Sequence, residues 1–219
     1  MIKGENMIKA ILFDFWGTLV ENGVWSPTKQ VQRILNIKLN FPEYVVRMEK
    51  AMMTKPFDSL TAAFNAIGEE FSIKIDERQM EELIGLWNKN WMLAKPYLET
   101  KETLESLQKR YDLILVSNTN SLGINNVLDK FDLGKYFKRT FLSCDLGLIK
   151  TDSKFFEKVL SKLKLQPQEV VMVGDSVQSD MKAAKDAGIK GILIDRRNSR
   201  EYEYRITNLK QITEVILNE

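Results

Sequence analysis

The apolar positions of this chain follow two rhythms. Residues 8–14, IKAILFD, form a short apolar run that ends in a carboxylate and a glycine-containing turn, the pattern of a buried strand. From about 26 to 94 the apolar positions recur at helical spacing. There SPTKQVQRIL, FPEYVVRMEKAMM, DSLTAAFNAIGEEF and DERQMEELIGLWNKNWMLAK each carry Ser, Pro or Asp near the N-terminus, where helices start. Within this block only FSIKI at 71–75 reads as a strand. Pro96 closes the block, and TKETLESLQKRY resumes as one amphipathic helix.

The remainder alternates strand and helix. DLILVSN (112–118) precedes a helix at about 121–130, and YFKRTFLSC (136–144) precedes DSKFFEKVLSKL. VVMVGD (170–175) precedes SDMKAAKDAG, and GILIDR (191–196) leads to a weak helix around 209–218. Short β-rich runs alternating with helices imply a parallel sheet covered on both faces. The predicted fold is therefore α/β, a doubly wound, Rossmann-like parallel sheet with an inserted α-helical cap. Its core is assigned to 1–20 and 95–219 and its cap to 21–94. No internal repeat or low-complexity segment interrupts it.

Composition narrows the chemistry. The 219 residues are 44% apolar and 28% charged, a globular profile, and the net charge of +2 with interspersed lysines and glutamates gives no basic stripe for nucleic acid. A single cysteine, Cys144, excludes an internal disulfide and fits a reducing compartment. The chain has no histidine, which removes His-based triads and His-ligated zinc and leaves carboxylates and lysines as the actors. No apolar stretch approaches the ~20 residues of a membrane span. The opening MIKGENM lacks the apolar segment of a secretory signal, so a cytoplasmic protein is expected, with Met7 an alternative start to Met1.

In open parallel sheets, ligands bind at the carboxyl ends of the strands, near the point where strand order reverses. Those ends here carry Asp14, Ser117 and Asp175, and the loop DLGLIK after the third strand ends in Lys150. Two carboxylates, a hydroxyl and an ammonium converging on one crevice suit a phosphoryl group with a hard cation such as Mg²⁺. Each residue alone has a plainer reading: turn chemistry for Asp14, a helix cap near Ser117, a solvated Lys150, a strand-to-helix turn at Asp175. Their joint occurrence in order at the strand ends is what carries the signal.

These residues resemble the motifs of the haloacid dehalogenase-like hydrolases across the whole core. DFWGTL is similar to the first motif, usually Asp-x-Asp-Gly-Thr-Leu, and VSN at 116–118 to the second. GLIK at 147–150 followed by DSKFF resembles the third, and VGDSVQSD at 173–180 the fourth. The resemblance implies that Asp14 is a nucleophile forming an aspartyl phosphate, a recognised carboxylate role. It implies that Ser117 and the Asn118 amide hold phosphate oxygens and that Lys150 neutralises charge. By the same analogy Mg²⁺ is bound by Asp14, Asp175 and the Trp16 carbonyl, with Asp180 orienting Lys150 or metal-bound water. The expected partner is a small phosphorylated metabolite, with no nucleic acid or membrane, and the protein a monomer or homodimer.

Position 16 departs from the pattern. The family's phosphatases carry there an Asp that protonates the leaving oxygen, whereas the Trp16 indole is a donor that does not titrate usefully. General acid–base catalysis contributes typically ~10²–10⁴-fold, so a good leaving group would need it least. Two other readings remain. Family dehalogenases of 2-haloacids carry an aromatic here and use no metal, but their fourth motif lacks the carboxylate of Asp175, which would repel Asp14 without a cation. A phosphate-ligand or partner-binding protein with vestigial turnover is the third. In the cap, Trp87 and Trp91 fall on one helix face and read as core, Trp25 is the better candidate for substrate contact, and Phe57 is also conspicuous. Arg47 and Lys55 read as surface cations, and Glu21 is the nearest carboxylate to the first motif in sequence.

Overall fold

A computed structural model describes residues 7–217; the predicted core termini and the Met1 start lie partly outside them. The strands are β1 (Ala10–Phe13), β2 (Val20–Glu21), β3 (Lys95–Pro96), β4 (Asp112–Ser117), β5 (Arg139–Leu142), β6 (Val170–Gly174), β7 (Lys190–Ile194) and β8 (Arg205–Ile206). The first four helices, α1 (Pro27–Ile34), α2 (Phe41–Met53), α3 (Leu60–Glu70) and α4 (Glu77–Leu93), lie between β2 and β3. The others are α5 (Thr100–Leu107), α6 (Ser121–Lys130), α7 (Ser143–Leu146), α8 (Lys154–Leu163), α9 (Ala183–Asp186) and α10 (Ile212–Leu217).

Six strands form one parallel sheet in the order β5-β4-β1-β6-β7-β8. Every position of β1 and β6 is buried, as continuous apolar runs in a sheet covered on both faces should be. Ile11, Phe13, Leu115 and Val173 pack into one core, and Ala10, Leu12, Val116 and Met172 into the other. That division is the period-2 alternation of a strand between two layers. Order reverses around β1: the chain passes to β4 and β5 on one side and β6 and β7 on the other. The crevice therefore opens beyond Phe13, Ser117 and Gly174.

The helices between β2 and β3 bury a cluster of their own, with Tyr44, Met48, Met52, Phe64, Ile67 and Leu83 at its centre. Asn40, Ser59 and Asp76 cap α2, α3 and α4 through their side chains, the last with a full capping box. β2 and β3 pair antiparallel, Val20 with Pro96 and Glu21 with Lys95, so the chain leaves and re-enters the sheet domain side by side.

Some expectations require correction. FSIKI is not a strand. It closes α3, with Ile73 N–H donating to the Gly68 carbonyl at 2.8 Å and Ser72 at φ 54°, and Ile73 and Ile75 pack on the helical cluster. Its alternation served a helix end rather than a ladder. The third predicted strand narrows to β5, flanked by a 3₁₀ turn at Gly134–Tyr136 and by α7. The helix expected from 179 begins as a π-helical turn at Val177–Lys182, a geometry frequent at functional sites.

Candidate active site

A cavity of about 320 Å³ lies between the strand ends and the helices above them. Asp14, Trp16, Asn118, Lys150, Asp175 and Asp180 all line it, as the sequence led one to expect. Asp14 extends β1 at its carboxyl end, with its own N–H bonded to the Val173 carbonyl of β6 at 2.9 Å. Lys150 Nζ reaches Asp14 Oδ1 at 2.6 Å and Asp180 Oδ1 at 2.5 Å, and all three residues are buried. Thr18 Oγ1 donates to the second oxygen of Asp14 at 3.2 Å, and Ser176 N–H to the second oxygen of Asp180 at 3.0 Å.

Two glycines make this approach possible. Gly17 sits at φ +79°, and a Cβ there would lie 2.4 Å from Asp175 Oδ2. A Cβ on Gly174 would lie 2.3 Å from Asp180 Oδ2. The small residues of DFWGT and VGD are thus spaces filled by carboxylates.

Oxygens of Asp14, Asp175 and Asp180 come within 4.8 Å of one another, and a single buried ammonium stands among them. Burial raises the Asp175 carboxyl, Asp14 and Asp180 raise it further, and Lys150 opposes them. Asp14 is raised for the same reasons, with burial foremost and the Lys150 charge resisting it. Burial alone would lower the Lys150 ammonium, but its two carboxylate partners outweigh that and hold it above its ordinary value. Three hard oxygen donors with one positive charge suit a divalent cation, and the cluster could hold one.

Not every expected residue reaches the cavity. Ser117 is fully buried, its Oγ has no hydrogen-bond partner among the described residues, and it does not line the cavity; Thr119 and Asn120 do. Asn118 is fixed from both ends: Lys150 N–H donates to its Oδ1, and its Nδ2 donates to Glu49 Oε2, each at 2.8 Å. Trp16 is half-buried and meets Phe15 edge-on at 5.0 Å between ring centroids. Trp87 and Trp91 line the cavity as well as packing, the former against Phe64 and the latter against the sheet core. Trp25 is 65% exposed and lines a neighbouring groove, as does the exposed Glu21. Arg47 pairs with Glu70 on the surface, and Phe57 packs on the helical cluster. Cys144 is buried, and burial pushes its thiol up to about 11, so it offers no thiolate nucleophile.

Two sets of residues escaped the sequence reading. Arg196 donates to the Thr18 carbonyl at 2.8 Å while pairing with Glu99 at 2.6 Å. Arg200 donates to the Asp175 carbonyl at 2.5 Å and is held by the buried Asp195, so two arginines brace the two acid-bearing loops. The other is Glu49 of α2. A signal for it existed: Phe41, Val45, Glu49 and Met53 recur every fourth residue, all four line the cavity, and Glu49 is the charged member of an otherwise apolar stripe.

Comparison with known proteins follows the same lines. A family model described as haloacid dehalogenase-like hydrolase matches residues 8–188. The chain is 28% identical to the glyceraldehyde 3-phosphate phosphatase of Methanocaldococcus jannaschii, with 97% of this chain and 98% of the relative covered. Among solved structures it resembles a HAD phosphatase from Thermococcus onnurineus at a TM-score of 0.63 and 27% identity, covering 97% of this chain and 99% of that one. It also shares its fold with a 2-haloacid dehalogenase from Pseudomonas syringae pv. Tomato, at a TM-score of 0.64 and 21% identity over 96% and 98% of the two chains.

Proposed function

The chain belongs to the haloacid dehalogenase-like hydrolases, and from that premise we propose that it is a Mg²⁺-dependent phosphatase of small phosphate esters. Asp14 is the nucleophile. It attacks phosphorus, forms an aspartyl phosphate as the ester oxygen departs, and is released when water attacks the phosphoenzyme. The observation that carries this reading is the carboxylate of Asp175 facing Asp14 in a buried site. Without a cation that pair repels; with one it becomes a ligand set.

Asp14, Asp175 and the Trp16 carbonyl would hold Mg²⁺, which when bound offsets the negative charge of the phosphoryl group. Lys150 supplies a fixed positive charge beside Asp14, and Asp180 holds its Nζ in place from the opposite side. The Asn118 main-chain amide is assigned to phosphate oxygens, the role expected of the Ser117 hydroxyl being set aside because that residue does not line the cavity, and the cap, taken as 21–94, shapes the space above. A cavity of about 320 Å³ suits a small phosphorylated metabolite, the class to which the glyceraldehyde 3-phosphate of the relative's name belongs.

Phosphate release from several esters, measured with Mg²⁺ and with EDTA, tests the reading. Activity with Mg²⁺ that disappears in EDTA supports it; halide release from a 2-haloacid in EDTA, without phosphatase activity, overturns it. Asp175→Asn supplies a check independent of turnover. Mg²⁺ at 100 times its dissociation constant stabilises a binding protein by about 2.7 kcal/mol, read as a rise in Tm. That rise is expected in the wild type and at least tenfold more Mg²⁺ should be needed to produce it in Asp175→Asn. An equal rise in both proteins would remove Asp175 from the ligand set.

A further inference from the structure

Resting on the phosphatase reading, one question is left by position 16: which group protonates the departing oxygen. Four carboxyls line the cavity. Asp14 is the nucleophile, and both oxygens of Asp180 are engaged, by Lys150 and by Ser176 N–H. Asp175 faces Asp14 among the strand ends. An in-line displacement at Asp14 drives the leaving group away from those strand ends, toward the helices that close the cavity. Glu49 stands on that side, on α2. Glu21, the nearer carboxylate in sequence, is exposed and lines a different groove.

We propose that Glu49 is the catalytic acid of this enzyme, a carboxyl delivered by the cap in place of the one the first motif lacks. As Asp14 bonds to phosphorus and the P–O bond to the alcohol breaks, Glu49 gives its proton to the alcohol oxygen. As water then attacks phosphorus and the Asp14–phosphorus bond breaks, the water proton returns to Glu49 and inorganic phosphate leaves. The balance needs no other reactant.

The surroundings of Glu49 suit this duty. Asn118 cannot turn away, because its Oδ1 is committed to Lys150 N–H, so its Nδ2 anchors one oxygen of Glu49 and fixes where the carboxyl points. Val45 and Met53, one turn to either side of Glu49 on its own helix, line the same cavity, as do Trp87, Asn90 and Trp91 of α4, none of them charged. The charged groups facing it are Lys150, Asp180 and Asp14 of the sheet domain. Burial pushes its carboxyl up to about 7, with the two aspartates adding to the rise and Asn118 and Lys150 opposing it. An acid poised there is partly protonated at neutral pH and accepts the proton back readily.

Glu49→Gln separates this role from a latch between cap and core. A glutamine carbonyl still accepts from Asn118 Nδ2, so the contact survives while the proton is lost. With Mg²⁺, the wild type is expected to hydrolyse both 4-nitrophenyl phosphate and glycerol 3-phosphate. For the alkyl ester its kcat/KM should fall as pH rises through about 7. In Glu49→Gln, kcat/KM for glycerol 3-phosphate should drop by about 10²-fold or more and lose that alkaline limb. The drop for 4-nitrophenyl phosphate, whose leaving group needs no proton, should be under about tenfold. A burst of 4-nitrophenolate should mark slowed water attack, and Glu49→Asp should recover part of the alkyl activity.

Equal losses on the two substrates, an unchanged alkyl rate, or an alkaline limb retained in Glu49→Gln would each overturn the proposal. The wild-type pH profile and Glu49→Asp keep the test decisive if Glu49→Gln folds poorly. A wild type active on the aryl ester alone overturns the role of Glu49 and leaves the phosphatase reading standing. A wild type active on neither overturns the phosphatase reading, and the proposal with it.

Discussion

Asp14→Asn is expected to lower phosphate release by roughly 10⁴-fold or more, as removal of a covalent nucleophile does, while the melting temperature holds or rises. The loss follows because an amide cannot form the phosphoryl bond, and the other carboxylate beside Lys150 is tied to the main chain, whereas Asp14 accepts from the Lys150 and Thr18 side chains. Asp180, the other candidate, spends both oxygens on Lys150 and Ser176 N–H. The stability follows from charge. Wild-type Asp14 is raised by burial first and by Asp180 as well, so its ionised form is disfavoured in the fold. An asparagine removes that burden and still offers Lys150 an oxygen. Phosphate release and thermal unfolding on the same preparation check both halves. Residual turnover within a hundredfold of wild type would move the nucleophile elsewhere, and a large fall in Tm would make Asp14 structural.

Lys150→Met should have the largest effect on stability. The Lys150 side chain is 3% exposed and is the ammonium that both buried carboxylates share. Methionine keeps much of the stem's packing and removes the charge, leaving Asp14 and Asp180 unpaired. Breaking a buried pair from one side costs about 3–5 kcal/mol, and this change strands two acids. The pH dependence has a definite sign. Asp14 is already raised by burial with the ammonium opposing that rise, so without Lys150 its folded-state pKa climbs further above the unfolded value. Folding then retains protons that the unfolded chain releases, so the variant loses stability as pH climbs from the ordinary carboxylate value of about 3.9. In EDTA, Lys150→Met should therefore approach wild-type Tm near pH 4 and fall away from it by pH 7. A gap that does not widen with pH would show that lost packing, not stranded charge, sets the cost.

The sheet was legible because its central strands are buried on both faces. Runs such as AILF and VVMVG have no reason to be so apolar elsewhere, and each is followed by a carboxylate that lines the cavity. The four helices between β2 and β3 were legible from period and caps. What escaped was short or assembled at a distance. β2, β3 and β8 are two residues each, too few to show a period. FSIKI alternates like a strand but has no neighbour with which to pair, and a helix end claimed it. Motif spacing found Asp14 and Asp175 at strand ends, Asp180 in the π-helical turn after β6 and Lys150 in the loop after α7. It passed over Glu49, which lies in mid-helix and 69 positions from the Asn118 it meets. Arg196 and Arg200 act through main-chain carbonyls, and a carbonyl leaves no mark on residue type.

The pairing of β2 with β3 has a consequence in polymer terms. Because Val20 meets Pro96, everything between them is a closed loop as seen from the sheet, and β1 continues to β4 as though across a short connection. Loop-closure entropy grows only with the logarithm of length, about 0.6 kcal/mol per doubling. Lengthening a turn of about five residues into the whole stretch from 21 to 94 takes roughly four doublings, about 2.5 kcal/mol in all. The helices in that stretch bury their own cluster and offset such a sum many times over. The architecture can therefore exchange what stands above Asp14, Glu49 included, at almost no cost to the sheet beneath.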